Sequence, residues 1–136
     1  MVDKASVELT RAPTLAGDVP YAYAAVARDA SRLVFTAGAC PLDEAGNTVA
    51  AGDVRGQAEQ AMANLRAALQ ATGADLSDVV KTTVYVASDS RADLLVAWDV
   101  VSRCLGPHDA PSTLVGVAVL GYPDQLVEVE AVAALR

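Results

Sequence analysis

Hydrophobic and polar residues change their spacing several times along the chain, and each change marks an element. Ser6 to Leu9 begins an edge strand, and Ala12 to Val19, with Pro13 and Gly17, is a connection. Tyr21 to Arg28 alternates and places Tyr21, Tyr23, Ala25 and Ala27 on one side of a strand. After a turn at Asp29 to Ser31, Leu33 to Ala37 forms a short strand ending at Gly38. Pro41 to Gly52, with Asp43, Glu44, Gly46 and Asn47, reads as a loop or small hairpin. From Asp53 to Thr72 the period becomes helical. Ala58, Ala61, Met62, Leu65, Ala68 and Leu69 make one stripe, Arg55, Gln57, Glu59, Asn64, Arg66 and Gln70 take the remainder, and Gly73 ends the helix.

Val79 to Ala87 is a β-branched strand with Val80, Thr82, Val84 and Val86 facing one way. Ser90 followed by Asp93 resembles a capping box with Asp in place of Glu. It opens a second helix to about Leu105, with Leu94, Trp98, Val101 and Leu105 as its stripe and Gly106 and Pro107 as its stop. Two alternating runs then follow, Thr113 to Leu120 and Leu126 to Ala134. The turn residues Gly121, Tyr122, Pro123 and Asp124 join them, so they read as a strand pair. The first run is apolar or small on both faces and calls for cover on both sides. In the second, Val127, Val129, Ala131 and Ala133 share one face, and Leu126, Glu128, Glu130 and Val132 the other. The order β-β-β-α-β-α-β-β predicts an α+β domain, one sheet with two helices, over residues 1–136.

Composition narrows the function. The chain is 53% hydrophobic with only 4% aromatics, and its mean hydropathy is +0.30. The surplus of Ala, Val and Leu is expected to be buried between subunits as well as within one. No apolar run reaches the length of a membrane span, and Met1 to Leu15 lacks the layout of a secretion signal, so a cytoplasmic, non-membrane protein is expected. A net charge of −7 with no Lys/Arg cluster argues against nucleic acid as partner. Cys40 and Cys104 have no metal-type partners at motif spacing and are expected reduced and buried. His108 is the only histidine, so neither a metal site nor histidine acid–base RNA cleavage is expected.

Three stretches in order carry a family likeness. They are Phe35-Thr36-Ala37-Gly38 followed by Pro41, the strand Val79 to Val86, and the C-terminal run. In the last of these, Val115, Val117, Ala118 and Leu120 fit a VxVAxL strand, and Val127 to Ala133 fit a (V/I)E(V/I)EA(V/I)A strand. From about Pro20 to Ala134 the chain thus resembles the reactive-intermediate deaminase family, also called Rid or YjgF-like. The resemblance implies a chorismate-mutase-like domain assembled as a homotrimer, with helices outside and small-molecule clefts between subunits. It also implies hydrolysis of imines or enamines derived from amino acids to ammonia and a keto acid, without metal or cofactor. The family holds its substrate carboxylate with an arginine. Three residues before Val115, the equivalent position here is Ser112.

The resemblance singles out Glu128 as the cleft carboxylate that orients water or takes a proton, Tyr21 as the cap of the site, and Gly38 as the glycine approaching the ligand. Ser112 and Thr113 stand where the clamp belongs. Each has a plainer reading beside it: a solvated or interface glutamate, a packed strand tyrosine, a strand-ending glycine. Glu130 reads as structural, Cys40 as core rather than reactive thiol, Trp98 as core, and His108 as a hydrogen-bonded loop residue. Neutral hydroxyls at Ser112 and Thr113 cannot replace a charged bidentate fork. Losing such a contact weakens a keto-acid imine by ~2–5 kcal/mol, unless Arg91 or Arg103 reaches the cleft from a neighbouring subunit. The expected function is deamination of an imine, enamine or related C–N intermediate lacking a clamped carboxylate. The alternative is a ligand-binding or regulatory trimer without chemistry. A third possibility is service on one dedicated intermediate of a biosynthetic cluster.

Overall fold

The computed structural model describes residues 7–136, so the expected strand start at Ser6 lies outside the described residues. The elements run in order as β1 (Val7–Thr10), β2 (Ala24–Ala27), β3 (Arg32–Phe35), α1 (Val54–Ala71), β4 (Val79–Val86), α2 (Arg91–Leu105), β5 (Ser112–Gly116) and β6 (Val127–Leu135). A 3-10 turn at Leu76–Asp78, which the hydrophobic pattern does not mark, precedes β4, and Asp75 and Asp78 close it as a reciprocal capping box. The α+β class and the element order are as the sequence predicts. No helix of the described residues is long and apolar enough to cross a membrane.

The two longest strands form the centre of a four-stranded sheet ordered β3-β6-β4-β5. β6 is antiparallel to both β3 and β4, whereas β5 runs parallel to β4. The two C-terminal runs are therefore not a strand pair. A parallel neighbour requires a crossover, and α2 supplies it between β4 and β5. Gly121 to Asp124 then carry the chain across to the other side of β4, where β6 inserts. β5 also stops at Gly116, four residues earlier than its alternation suggests, and there the backbone lies so near the Ser88 carbonyl oxygen that a Cβ would come within 2.7 Å of it. At that point the chain lies against the β4–α2 connection. β1 and β2 pair only with each other, as a separate two-stranded ribbon rather than as part of one sheet.

Both helices cover one face of the four-stranded sheet. Val127, Val129, Ala131 and Ala133 from β6 meet Val84, Val86 and Thr82 from β4 there, and all are buried. A bulge between Val79 and Lys81 changes which residue begins that face: Val79, not Val80, is fully buried. The other face carries Lys81, Thr83, Tyr85, Glu128, Glu130 and Val132, and beside them Leu33 and Phe35 are 58% and 72% exposed. That face is apolar at β3 and charged at its centre, and neither helix among the described residues covers it.

α1 starts at Asp53, whose extended backbone leaves its carboxylate to accept from Gly56 N at 3.0 Å. It ends as expected at Gly73, which takes φ +90. Gly73 N donates to Gln70 O and Ala74 N to Leu69 O, the paired bonds of a Schellman end. The buried stripe differs from the expected one in two places: Ala68 is exposed, and Gln57 is fully buried. α2 keeps Val101 and Leu105 inside but buries Ala97 and Val100 in preference to Leu94 and Trp98, which are half-buried. Its start is not a capping box, since the Ser90 side chain makes no cap bond. Asp93 Oδ2 instead accepts from Ser88 Oγ at 2.7 Å.

Gln57 joins α1 to the loop before β6. Its Nε2 donates to Asp124 O at 2.8 Å and its Oε1 accepts from Leu126 N at 2.7 Å. A helix-face periodicity cannot distinguish such a glutamine from a solvated one, because the partner is a loop 67 residues away. Replacing it with leucine leaves two backbone groups without partners in the interior. Gln57→Leu is expected to lower unfolding stability in urea by about 2–4 kcal/mol. A loss below about 0.5 kcal/mol would mean that water satisfies the loop instead.

Candidate functional site

Strand alternation sends Glu128 to the open face of β6, and the neighbouring chain shapes its surroundings. The segment after β3 bridges to β6 through Ala39 N to Val129 O at 2.7 Å and Val129 N to Ala39 O at 3.1 Å. This sets Gly38 and Cys40 on either side of the glutamate. A Cβ on Gly38 would overlap the Glu128 carboxylate, chiefly Oε2, so it is the glycine that lets this carboxylate lie against the backbone, and any larger residue would displace it. Glu128 Oε1 accepts from Cys40 Sγ at 3.2 Å and from Gln125 Nε2 at 3.2 Å. Asn64 on α1 holds the same segment, donating to Cys40 O at 2.8 Å and Leu42 O at 2.9 Å.

Burial, and then the hydrogen bond to the Glu128 carboxylate, push the Cys40 thiol up to about 11. It is half-buried and protonated at neutral pH, which agrees with the expectation that it is not a reactive thiol. Cys104 departs from the sequence reading in being exposed, and both cysteines are free. Glu130, two residues on, accepts from Tyr85 OH at 2.7 Å and thereby raises the Tyr85 pKa. This is the structural role expected for it, with a tyrosine rather than a cation as partner. His108 is also as expected, its Nε2 lying 2.7 Å from Val79 O.

Tyr21 and Ser112 meet elsewhere. With Pro20, Leu95, Trp98 and Leu114 they line an open, largely apolar groove of about 350 Å³. Tyr21 is not in β2 as expected. It precedes that strand, held by Ala22 N to Asp109 O at 2.7 Å and by Arg11, which donates to the Tyr21 carbonyl and pairs with Asp109. Its ring stands edge-on to Trp98 with centroids 6.4 Å apart. Trp98 is thus a groove wall as well as a packing residue. Ser112 Oγ donates to Ala110 O at 3.0 Å and lies 2.6 Å from Thr82 Oγ1. Its proton is committed within the protein, leaving a ligand only lone pairs.

Thr113 is separated from Ser112 by the sheet itself. It points to the open face, where its Oγ1 accepts from Lys81 Nζ at 2.7 Å. Ser112 pairs in register with Thr82 and Glu128 with Tyr85, three residues along β4 and on opposite faces. One protomer therefore brings together Glu128, Gly38 and Cys40 in one place, and Tyr21 with Ser112 in another. Of the two arginines considered above, Arg103 is paired with Asp99 at 3.2 Å. Arg91 has no ion-pair partner among the described residues and borders a groove of about 520 Å³ with Ser88, Asp89, Leu94 and Gly116 to Ala118. Gln125, Gln57, Asn64 and Arg11 were not picked out as site-shaping by sequence reasoning. Only tertiary contact marks them, since each lies in a polar stretch that reads as solvated.

Comparison with known proteins agrees with this architecture. The family described as Endoribonuclease L-PSP matches residues 12–135. The chain is 35% identical over 129 residues to protein DfrA of Myxococcus xanthus, covering 94% of this chain and 93% of that one. It is 32% identical over 104 residues to a 2-iminobutanoate/2-iminopropanoate deaminase of Dermatophagoides farinae, covering 76% and 78%. The crystal structure of a Rid-family protein of unknown function from Yersinia pestis superposes with a TM-score of 0.86 at 28% identity, over 96% of this chain and 99% of that one. The chain belongs to the Rid (YjgF-like) family.

The Cys40 environment generates a pH prediction. In the unfolded chain the thiol ionises at about 8.5, whereas in the folded chain it stays protonated until about 11. Between those values the unfolded state binds fewer protons, so the contribution of this group to stability falls as pH rises. The rate of Cys40 alkylation by iodoacetamide in a Cys104→Ser protein is expected to rise with pH with a midpoint near 11, and an ordinary midpoint would remove the thiol–carboxylate contact.

Proposed function

We propose that this protein is a deaminase that hydrolyses an imine or enamine-derived intermediate, at a cleft completed by a neighbouring subunit of a homotrimer. The observation that carries the reading is the Glu128 carboxylate lying over Gly38 with Oε2 unengaged among the described residues. That oxygen takes a proton from water as the water oxygen bonds to the imine carbon. The imine nitrogen takes up a solvent proton as its double bond opens, and the carbinolamine so formed receives the Glu128-held proton on nitrogen; as its hydroxyl gives its proton back to solvent the C–N bond breaks, and ammonia leaves with a carbonyl product. The relative from Dermatophagoides farinae carries a name for this chemistry.

Two observations support the shared cleft. Glu128 and Ser112 face opposite sides of one sheet, so a site using both needs a second copy. The uncovered face with Leu33, Phe35 and Val132 offers an apolar surface of the kind subunits bury. The ligand is assigned no clamped carboxylate, because the Ser112 proton is used internally and the groove beside it is walled by Tyr21, Trp98, Leu95 and Leu114. RNA cleavage fits less well. The net charge is −7, and the one histidine is bound to the Val79 carbonyl. The engaged Ser112 also favours a second reading, a ligand-binding trimer that has kept the cleft without its chemistry.

Ammonia release decides between them. Two substrates serve: 2-aminoacrylate generated from serine by a dehydratase, and a carboxylate-free N–H ketimine such as that of acetophenone. Wild type is expected to accelerate the ketimine more than 2-aminoacrylate, with Glu128→Gln reducing the rate by ~10²–10⁴-fold. Ser112→Arg is expected to shift preference toward 2-aminoacrylate. No acceleration of either substrate by wild type or Ser112→Arg would favour the binding protein, and a monomer in light scattering would remove the shared cleft.

A further inference from the structure

The two oxygens of Glu128 are not equivalent. Oε1 accepts from both Cys40 Sγ and Gln125 Nε2, whereas Oε2 projects over Gly38 with no donor among the described residues. Gln125 is 4% exposed. Its amide orientation is set by Tyr122 N, which donates to Gln125 Oε1 at 3.1 Å and so turns Nε2 toward Val127 O, at 3.1 Å, and Glu128. Each donor is in turn tied to α1. Asn64 holds the Cys40 carbonyl, and Gln57 holds Asp124 and Leu126 on either side of Gln125.

We infer that Gln125 and Cys40 are positioning residues for Glu128, filling Oε1 so that the carboxylate is held in one orientation and Oε2 alone exchanges protons with substrate. The inference rests on the reading of Glu128 as the proton-transferring group. Two donors on one oxygen occupy its lone pairs and fix the carboxyl torsion, which pre-organises the other oxygen for reaction. The Cys40 thiol has a single proton and two acceptors in reach, Gly38 O at 3.4 Å and Glu128 Oε1 at 3.2 Å. The charged acceptor is the stronger. Because the thiol stays protonated through neutral pH, it remains a donor where the enzyme works.

The test compares wild type, Gln125→Leu, Cys40→Ala, Cys40→Ser and Glu128→Gln by ammonia release per folded molecule. Gln125→Leu is expected to lower kcat by roughly 10-fold to 100-fold with KM within about 2-fold. Cys40→Ala is expected to lower it by about 3-fold to 10-fold, and Cys40→Ser, which restores a donor, to recover most of that loss. Since Gln125→Leu also strands Tyr122 N–H, Cys40→Ala serves as the milder variant, removing from the backbone only the long thiol contact to Gly38 O at 3.4 Å. Wild-type kcat in both Gln125→Leu and Cys40→Ala, with Glu128→Gln inactive, overturns the positioning role and leaves the deaminase reading standing. Wild-type rate in Glu128→Gln overturns the deaminase reading and this inference together. A readout independent of turnover is the pair of Gln125 side-chain amide signals in ¹⁵N spectra. They are expected to move in Glu128→Gln, and their constancy overturns the contact even if no substrate is turned over.

Discussion

The ladder between β4 and β6 is the constraint on which the rest of this molecule depends. Once Val84 is opposite Val129 and Val86 opposite Val127, every second residue of both strands must enter the layer beneath the helices. Glu128 and Glu130 then have only the other face available. A one-residue slip would bury both carboxylates under α1 and α2 and expose four small apolar residues, at a cost far above what a marginally stable domain carries. The bulge at Val79/Lys81 shifts the phase at the start of β4, so that Val79 rather than Val80 takes the buried face there.

That ladder also explains why the candidate site residues fall into two groups. β5 is parallel to β4 and occupies its outer side, so Ser112 follows Thr82 toward the helices while Thr113 follows Thr83 to the open face. Adjacent hydroxyls that look interchangeable in sequence are thereby sent to different environments. One closes a local network with Thr82 and Ala110, and the other receives Lys81. Ser112 is thereby a self-satisfied polar spot beside an aromatic groove.

The glutamate half of the site shows a different economy of parts. Three amide side chains, Gln57, Asn64 and Gln125, tie the two loops flanking Glu128 to α1 and to each other. None of them contacts the open groove at Tyr21. Fully paired buried polar groups of this kind add rigidity where irregular backbone would otherwise be free to move, which is what a carboxylate held at close range over Gly38 requires.

Much of the architecture was legible in the chain alone. The helical period of Ala58 to Leu69, the β-branched run Val79 to Val86 and the alternation of Val127 to Ala133 depend on local periodicity, and each appears close to its expected bounds. Gly73 as a helix end is equally local, because only the backbone at that residue decides it. What the tertiary structure alone decided was adjacency. The separation of β5 from β6 by β4, the burial of Gln57, the diversion of Asp93 to Ser88, and the meeting of Cys40, Gln125 and Glu128 all involve partners outside the element concerned. The physical reason is that a side chain's period along its own element specifies which face it takes, whereas its partner is specified by which other element is packed there. For Glu128 the sequence determined the open face of the strand, and the fold determined that one of its oxygens is held and the other is free.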